Sequence, residues 1–243
     1  MIILHTIQHR WWALIFIPAF FWVATAERSW QRALRFLAIS SGVSLAAEYL
    51  STHSNFPYGR YDYIATTHGS ELYISNVPLF VPLTFGVVVW AGRALANRRN
   101  ASPAALILGG AVFASALDLV IDPMTLRGGT WFMGSLYAYR SSGPWFNIPW
   151  SNYGGWILVS AVILSIDWLL ETRAPKNVDT VRGPALAFGM CAFFIVLALA
   201  TRHWMIALAT TGVTVLLISL VTARLSSAAR TEEATASVPP APL

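Results

Sequence analysis

Residues 103–121 read PAALILGGAVFASALDLVI, and this stretch decides the fold class. Its 19 residues contain a single charged side chain, Asp118. About 20 apolar residues are enough to cross the hydrocarbon core of a bilayer as an α-helix. The stretch therefore predicts a transmembrane helix.

Six further segments of the 243-residue chain show the same pattern. The seven predicted spans are residues 11–26, 33–50, 75–96, 103–121, 154–170, 184–201 and 204–223. We therefore predict an all-α, polytopic membrane helix bundle of about seven transmembrane helices within residues 1–225. Residues 226–243 are rich in Ala, Ser, Thr, Glu and Pro and are predicted to form a disordered tail.

The composition supports a membrane protein. Hydrophobic residues make up 56% of the chain and charged residues 11%, with a mean hydropathy of +0.57. Soluble domains carry roughly 25% charged residues, so this chain has too few polar side chains to cover a soluble globule. The single cysteine, Cys191, excludes disulfides and cysteine-rich metal or iron–sulfur sites within one chain.

The distribution of Lys and Arg predicts the orientation, because cytoplasmic loops carry the excess of these residues. The N-terminus and the second, fourth and sixth loops hold Arg10, Arg60, Arg127, Arg140 and Arg202. The other side holds Arg28, Arg32, Arg35, Arg93, Arg98, Arg99, Arg173, Lys176, Arg182, Arg224 and Arg230. We predict a multi-pass protein of the cell membrane, with its N-terminus outside and its C-terminus in the cytoplasm. Basic residues scattered in this way do not indicate a nucleic-acid partner.

Two loops differ from the others. Residues 51–74 and 124–153 are dense in Tyr, Trp, Asn, Gly and Pro, and with seven spans they lie on the same side of the membrane. One explanation is an aromatic belt, since Trp and Tyr are favoured at the membrane–water boundary. A belt does not explain the His, Asn, Glu and Asp residues beside the aromatic ones.

Three carboxylic acids lie at the ends of spans that lead to these loops. Glu48 is near the end of the second span, and Asp118 and Asp122 lie four residues apart on one face of the fourth. Pro123 lacks an amide hydrogen, so the chain is expected to turn there. Two neighbouring carboxyls in a poorly solvated site do not both ionise easily, so one is expected to keep its proton and act as a general acid. The alternatives are Glu48 at the interface or paired with Arg60, and Asp122 in headgroup water.

Amide side chains are expected to join these acids. Asn76 begins the third span, and Asn147 and Asn152 precede or begin the fifth, all on the side where Glu48 and the two aspartates lie. We therefore predict that acid and amide groups from four helix ends converge there.

The remaining histidines and acids are expected to be less informative. His53 and His68 flank the first unusual loop without the spacing of a metal motif, so they are expected to form hydrogen bonds at the interface, and no metal site is predicted. Asp167 and Glu171, at the opposite end of the fifth span, are expected to be solvated interface charges.

Four motifs together resemble a known family. They are EYLSTHSNFPYGRYDY from Glu48, NVP at residues 76–78, ALDLVIDP ending at Pro123, and WFNIPWSNYGGW ending at Trp156. In residues and order they resemble the membrane carotenoid-biosynthesis family that includes the γ-carotene and bisanhydrobacterioruberin hydratases. The resemblance covers about half of the chain. The STHS insert at residues 51–54 and the Gly-Gly pair at residues 128–129 depart from the family pattern.

The resemblance implies a reaction. Hydration of the acyclic C1=C2 end of a carotenoid places a proton on C2 and water on C1, through a tertiary carbocation. This chemistry needs an acid in a dry site, aromatic faces beside the cation and a positioned water, but no cofactor.

The resemblance also implies roles for individual residues. Asp118 or Asp122 would donate the proton, and Glu48 would orient or deprotonate the water. The residues expected to contact the substrate or complete the network are His53, Asn55, Tyr58, Tyr61, Asn76, Trp131, Tyr137, Trp145, Asn152 and Trp156.

Other functions fit the same residues. A carotenoid end-group cyclase would use the same acid and exclude water. A proton-coupled transporter or a lipid-binding membrane protein would use the buried acids without catalysis. The expected partners are a carotenoid or other isoprenoid lipid and the membrane lipid, and a further alternative is a structural partner of other carotenoid-pathway enzymes.

Overall fold

The described part of the chain forms eight α-helices. A computed structural model describes residues 2–64, 68–97, 101–171 and 181–236, with side chains described as far as residue 224. The helices are α1 Ile2–Leu14, α2 Phe16–Glu27, α3 Trp30–Ser54, α4 Phe80–Ala96, α5 Pro103–Thr125, α6 Trp150–Leu170, α7 Arg182–Ala200 and α8 Trp204–Ala236. The predicted all-α class is confirmed.

Five helices of the described residues are long and apolar enough to cross a membrane. They are α3, α5, α6, α7 and the Trp204–Arg224 part of α8. Two shorter apolar helices, α2 and α4, lie where the first and third spans are predicted. The structure thus confirms a bundle of several apolar helices, while the count of seven spans stays a prediction.

Two small antiparallel ribbons lie in or directly after the unusual loops. Strand β1, Tyr61–Tyr63, pairs with β4, Tyr137–Tyr139. Strand β2, Tyr73–Ile74, pairs with β3, Val77–Pro78. The β1–β4 pair joins the two loops to each other, which confirms that they lie at the same end of the bundle.

Several predicted helix ends differ from the observed ones. The third span was expected from residue 75, but this segment forms β3, and α4 begins only at Phe80. Helix α5 continues through Pro123 to Thr125, so the expected turn at the proline is wrong. Helix α8 is described as far as Ala236, and the disordered tail expected over residues 226–243 stays a prediction. Residues 237–243 lie outside the described residues.

The centre of the bundle is a close crossing of α4 and α5. A Cβ atom on Gly92 would lie 2.5 Å from the amide nitrogen of Ala114 and 2.6 Å from the carbonyl oxygen of Gly110. Only glycine allows the two backbones to approach this closely. Helix α6 packs on the other side of α5, so the ends of α3, α5 and α6 are held near one another.

The end of the bundle away from the ribbons carries buried ion pairs. Arg28 Nη1 lies 2.8 Å from Asp167 Oδ1, and Arg93 Nη1 lies 2.9 Å from Glu27 Oε2. Glu171 lies 3.4 Å from Arg28 Nη1 and also pairs with neighbouring arginines of α3. The expectation that Asp167 and Glu171 are solvated is therefore wrong, because the α2–α3 corner packs its arginines against the end of α6.

Candidate active site

Four of the predicted polar residues line one cavity. They are Glu48 on α3, Asp118 and Asp122 on α5, and Asn152 on α6. The cavity encloses about 920 Å³, counting the part that opens to the surroundings. All four side chains are buried. The predicted meeting of acids and an amide from separate helix ends is therefore observed for these residues.

Asn152 holds the two aspartates together. Its Nδ2 atom donates to Asp118 Oδ2 at 2.8 Å and to Asp122 Oδ2 at 3.2 Å. The amide group supplies two hydrogens, so one side chain satisfies an oxygen of each carboxyl. The pair is thereby fixed with its remaining oxygens available to other groups.

The β1–β4 ribbon covers the acids with four tyrosines. Tyr61 lies opposite Tyr139, and Tyr63 lies opposite Tyr137. Successive side chains of a strand point to opposite faces, so the tyrosines at alternate positions share one face. Their rings pack edge to face, with centroids 5.5–6.4 Å apart.

The phenol groups of this face donate to the carboxyls. Tyr61 and Tyr63 both donate to Glu48 Oε2, the latter at 2.7 Å. Tyr137 donates to Asp122 Oδ1, and Tyr139 donates to Asp122 Oδ2 at 3.3 Å. The ribbon therefore joins the acid of α3 to the aspartates of α5 through hydrogen bonds.

Burial keeps these phenols protonated. Removal from water raises the pKa of Tyr61, Tyr63, Tyr137 and Tyr139 well above the ordinary value of 10, and the nearby carboxylates raise it further. At neutral pH each of these side chains is a neutral O–H donor to an acid.

The opposite face of the ribbon is polar and exposed. Arg140 donates to Asp62 through Nε at 2.6 Å and through Nη2 at 2.8 Å. These hydrogen bonds lower the pKa of Asp62. Asp62 alternates with the tyrosines along β1, so the same strand places one acid in solvent and binds the buried Glu48 from its other face.

The rest of the cavity is apolar. Helix α4 contributes residues one and two turns apart, from Phe80 through Thr84 to Val88, which lie on one face. At 1.5 Å per residue this face is about 12 Å long. The ring of Trp156 stacks on Phe85 with centroids 4.0 Å apart. The other apolar lining residues are Trp12, Ala13, Phe16, Val81, Ile121, Met133, Leu136, Met190 and Phe194.

One wall of the cavity is tied to the first helix by an ion pair. Arg10 Nε and Nη2 each lie 2.8 Å from an oxygen of Glu71, and Nη1 donates to the carbonyl oxygen of Met133 at 2.6 Å. Both charged side chains are almost completely buried. Arg10 therefore holds α1 and the Met133 loop beside the cavity, whereas the sequence pattern indicates only a loop charge.

Three of the predicted polar residues do not line the cavity. His53 is exposed, and its Nδ1 atom lies 2.7 Å from the carbonyl oxygen of Tyr49. Asn55 ends α3 in a left-handed conformation, with φ of 70°. Asn76 lies in the turn between β2 and β3, because α4 begins later than expected. The structure therefore does not bring these three side chains into the cavity with Glu48, and their contact with a substrate stays a prediction.

Two predicted aromatic residues support α5 instead of lining the cavity. The indole N–H of Trp131 donates to the carbonyl oxygen of Met124 at 2.8 Å, and that of Trp145 donates to Leu119 at 3.0 Å. Pro123 has no amide hydrogen to donate to Leu119, its partner four residues earlier. Trp145 supplies the missing donor, which explains why α5 continues through the proline.

Other lining residues were not predicted from the sequence. Thr125 donates to Asp122 Oδ1 at 2.9 Å, and Tyr63 and Tyr139 donate to Glu48 and Asp122. The signal for the tyrosines is the alternation YDY at residues 61–63 and YAY at residues 137–139, which is typical of short strands. The lining residues of α1, α2 and α7 carry no comparable sequence signal.

A comparison with known families adds to this geometry. The family model described as carotenoid biosynthesis protein matches residues 8–221. The chain belongs to this family. Every residue that lines the cavity, from Trp12 to Phe194, lies within the matched part of this carotenoid biosynthesis protein.

A curated relative gives a more specific but partial similarity. The carotenoid biosynthesis protein is similar to the bisanhydrobacterioruberin hydratase of Haloarcula japonica, with 27% identity over 126 residues. The match covers 49% of this chain and 39% of the relative, so the chain spans about two fifths of that protein's length. No solved structure matches the chain.

Proposed function

We propose that this carotenoid biosynthesis protein is a hydratase that adds water to the acyclic C1=C2 end of a carotenoid. The observation that carries this proposal is the unequal hydrogen bonding of the two aspartates. They are buried side by side, yet one is surrounded by donors and the other is not. Such a pair provides an acid next to an anion in a site with little water.

Asp122 has a donor in every direction. Thr125 and Tyr137 donate to Oδ1, and Tyr139 and Asn152 donate to Oδ2. A protonated carboxyl must itself donate a hydrogen, and here its neighbours compete for every oxygen position. This arrangement favours the carboxylate form of Asp122.

Asp118 has room for a proton. Its Oδ2 atom accepts from Asn152, and no group in the described ranges donates to Oδ1. A negative Asp122 alongside further favours the neutral form of Asp118, since two like charges in a dry site repel. We therefore assign Asp118 as the proton donor.

The reaction then proceeds in balanced steps. The Asp118 proton adds to C2 with the electrons of the double bond, leaving a tertiary cation at C1. The aromatic faces of Phe85 and Trp156 lie in the cavity, where they can stabilise the cation. A water oxygen attacks C1 and passes a proton to Glu48, which returns it to Asp118. The net change is the addition of one water.

The apolar part of the cavity fits a substrate that dissolves in the bilayer. The α4 face that runs from Phe80 to Val88 is about as long as two isoprene units, by the rise of 1.5 Å per residue. We propose that the end of the chain reaches the acids while the polyene lies along this face. The partner is thus a carotenoid or other isoprenoid lipid.

Expression with carotenoid precursors tests the proposal. Cells that accumulate an acyclic or monocyclic carotenoid should form a pigment heavier by one water when the protein is present, and not when Asp118→Asn is present. A product of unchanged mass with a closed ring would instead assign a cyclase. Unchanged pigment, with folded protein in the membrane, would reject both carbocation reactions.

A further inference from the structure

The side chain of Tyr58 lines the cavity, and its buried hydroxyl has no hydrogen-bond partner among the described residues. The side chain is 2% exposed. Leaving a buried hydroxyl unpaired is unfavourable, and such a group usually bonds to a bound molecule or an internal water. The hydroxyl therefore marks a position where a polar molecule is expected to bind.

Tyr58 is held in this position by its backbone. Ser51 Oγ accepts from the Tyr58 amide at 2.9 Å, and Ser151 Oγ donates to the Tyr58 carbonyl at 3.1 Å. Gly155 provides the space for the ring, since a Cβ there would lie 2.5 Å from Tyr58 Cδ1 and 2.8 Å from the Pro57 carbonyl oxygen. Helices α3 and α6 together fix the phenol.

Two carboxyls with a free oxygen lie in the same cavity. Tyr61 and Tyr63 both donate to Glu48 Oε2, and Oε1 has no donor in the described ranges. Asp118 Oδ1 is likewise without a donor there. Burial, and the charge of Glu48 nearby, raise the pKa of Tyr58 well above 10, so its hydroxyl keeps a hydrogen to donate.

We propose that Tyr58 and Glu48 together bind the water molecule that is added to the substrate. This inference rests on the proposed function and names a positioning residue for it. A water can accept from Tyr58 and donate to Glu48 Oε1, which leaves one lone pair on the oxygen. That lone pair faces the cation formed next to Asp118, and the hydrogen on the Glu48 side leaves as the new C–O bond forms.

The placement of this water should decide whether the carbocation is hydrated or returns to an alkene. If the water is held poorly, the cation still forms but loses a proton from C2 or from a methyl group on C1 and returns to an alkene. In D₂O the Asp118 acid adds deuterium to C2, so the alkene keeps this label when the cation loses the original C2 hydrogen or a methyl hydrogen to the Asp118 carboxylate. Loss of the same deuterium returns unlabelled alkene. The ratio of deuterated alkene to hydrated product measures how well the water is placed.

Tyr58→Phe in the full-length protein, assayed in D₂O with an acyclic carotenoid in detergent or vesicles, tests this point. The variant keeps the ring and removes only an unpartnered hydroxyl, so the fold should be preserved. We expect the ratio of deuterated alkene to hydrated product to rise about tenfold, the usual effect of losing one neutral hydrogen bond. Tyr153→Phe is the matched control, because the Tyr153 hydroxyl is also buried, has no partner among the residues that the structure describes, and belongs to a side chain that does not line the cavity. It should leave the ratio unchanged.

The outcomes separate the two proposals. A Tyr58→Phe ratio within twofold of the wild type would overturn the role of Tyr58, even if total turnover fell. Failure of the wild type to form either hydrated product or deuterated alkene would overturn the hydratase proposal and with it the water site. Deuterated alkene without hydrated product in the wild type would keep the acid chemistry and reject the bound water.

Discussion

The two aspartates of α5 differ in their surroundings although they lie one helical turn apart. Asp122 accepts hydrogen bonds from four side chains, whereas Asp118 accepts from Asn152 alone among the described groups. The helix places both aspartates on one face, but side chains from neighbouring segments determine which carboxyl oxygens accept hydrogen bonds. The chemical role of each acid is therefore set by its partners.

Replacing Asp118 should remove the proposed proton donor while keeping its contact with Asn152. We expect Asp118→Asn to lower the hydration rate by about 10²–10⁴-fold, the usual contribution of a general acid. The rate is measured as hydrated pigment formed per amount of membrane protein. Asp62→Asn is the matched control, since Asp62 lies on the solvent face of the ribbon, and it should retain full activity. A rate for Asp118→Asn within threefold of the wild type would contradict the assignment.

The tyrosines of the ribbon should make stability depend on pH only in the alkaline range. In the unfolded chain a tyrosine ionises near pH 10, but burial raises the pKa of Tyr139 well above that value in the folded protein. Above pH 10 the unfolded state has lost a proton that the folded state keeps, so stability falls by about 1.4 kcal/mol per pH unit for each such tyrosine. Below pH 9 this effect is absent.

Thermal unfolding in detergent between pH 8 and pH 11 measures this dependence. Tyr139→Phe removes one of the tyrosines, so its unfolding temperature should fall less steeply above pH 10 than that of the wild type. Parallel curves for the two proteins over the whole range would show that Tyr139 is not protected from ionisation in the folded state.

At the scale of single elements, the last turn of α5 depends on a side chain from another loop. Trp145 donates to the Leu119 carbonyl that Pro123 leaves without a helical partner. This hydrogen bond keeps α5 regular as far as Thr125 and therefore keeps Asp118 and Asp122 on one face of an unbroken helix.

A double-mutant cycle tests the link between Trp145 and Pro123. Trp145→Phe should destabilise the protein by about 1–3 kcal/mol, because a buried carbonyl loses its donor. In the Pro123→Ala background the alanine amide can bond to Leu119, so the same Trp145→Phe change should cost less. Unfolding temperatures of the four proteins give the interaction energy, and Trp150→Phe at an exposed position is the control. Equal costs in both backgrounds would mean that the two residues act independently.

The ribbon is the second element that matters for the site. Its four tyrosines come from two loops that are 74 residues apart in sequence at the closest register pair, since Tyr63 lies opposite Tyr137. Antiparallel pairing brings both loops over the acids and gives each strand one face toward the cavity and one face toward solvent. The element thus converts two aromatic loops into one hydrogen-bonding surface.

In the whole molecule, polar side chains gather at both ends of the bundle. The cavity lies at the end with the ribbons, and the buried ion pairs of Arg28 and Arg93 lie at the other. The ring of Trp90 lies against both arginines, with centroid distances of 5.0 Å to Arg28 and 4.6 Å to Arg93. This second cluster ties α2, α3, α4 and α6 together.

Removing one charge of the second cluster should be costly. Asp167→Asn leaves the buried Arg28 with Glu171, 3.4 Å away, as its acidic partner, and we expect a loss of stability toward the lower end of about 3–5 kcal/mol. Adding Arg28→Gln removes the charge that has lost its partner at 2.8 Å and should restore part of the loss. Unfolding temperature in detergent is the measurement, and an Asp167→Asn protein as stable as the wild type would argue against the ion pair.

The distribution of basic residues predicts which end of the bundle faces the cytoplasm. The excess of Lys and Arg on the side of the second cluster favours the cytoplasm for that end, so the cavity end should face outward. A reporter that is active only in the cytoplasm should therefore be active when fused after Arg224 and inactive when fused at the N-terminus. The reverse pattern would invert the orientation.

The sequence by itself determined the helical membrane class and all three acids that line the cavity. Long apolar runs are a local property, and the i, i+4 spacing of Asp118 and Asp122 is enough to place them on one helix face. The family resemblance also rests on local motifs, such as NVP and the run that ends at Pro123. Eight predicted site residues line the cavity for these reasons: Glu48, Tyr58, Tyr61, Asp118, Asp122, Tyr137, Asn152 and Trp156.

Only the tertiary structure decided which partner each polar group meets. The sequence does not distinguish Trp131 and Trp145 from the aromatic residues that line the cavity. In the structure their indole N–H groups donate to carbonyl oxygens of α5. Asp167 has the sequence surroundings of an interface charge but is buried against Arg28. Hydrogen bonds and ion pairs form between segments distant in the chain, so their identity depends on how helices and loops pack, which local hydrophobicity and spacing do not encode.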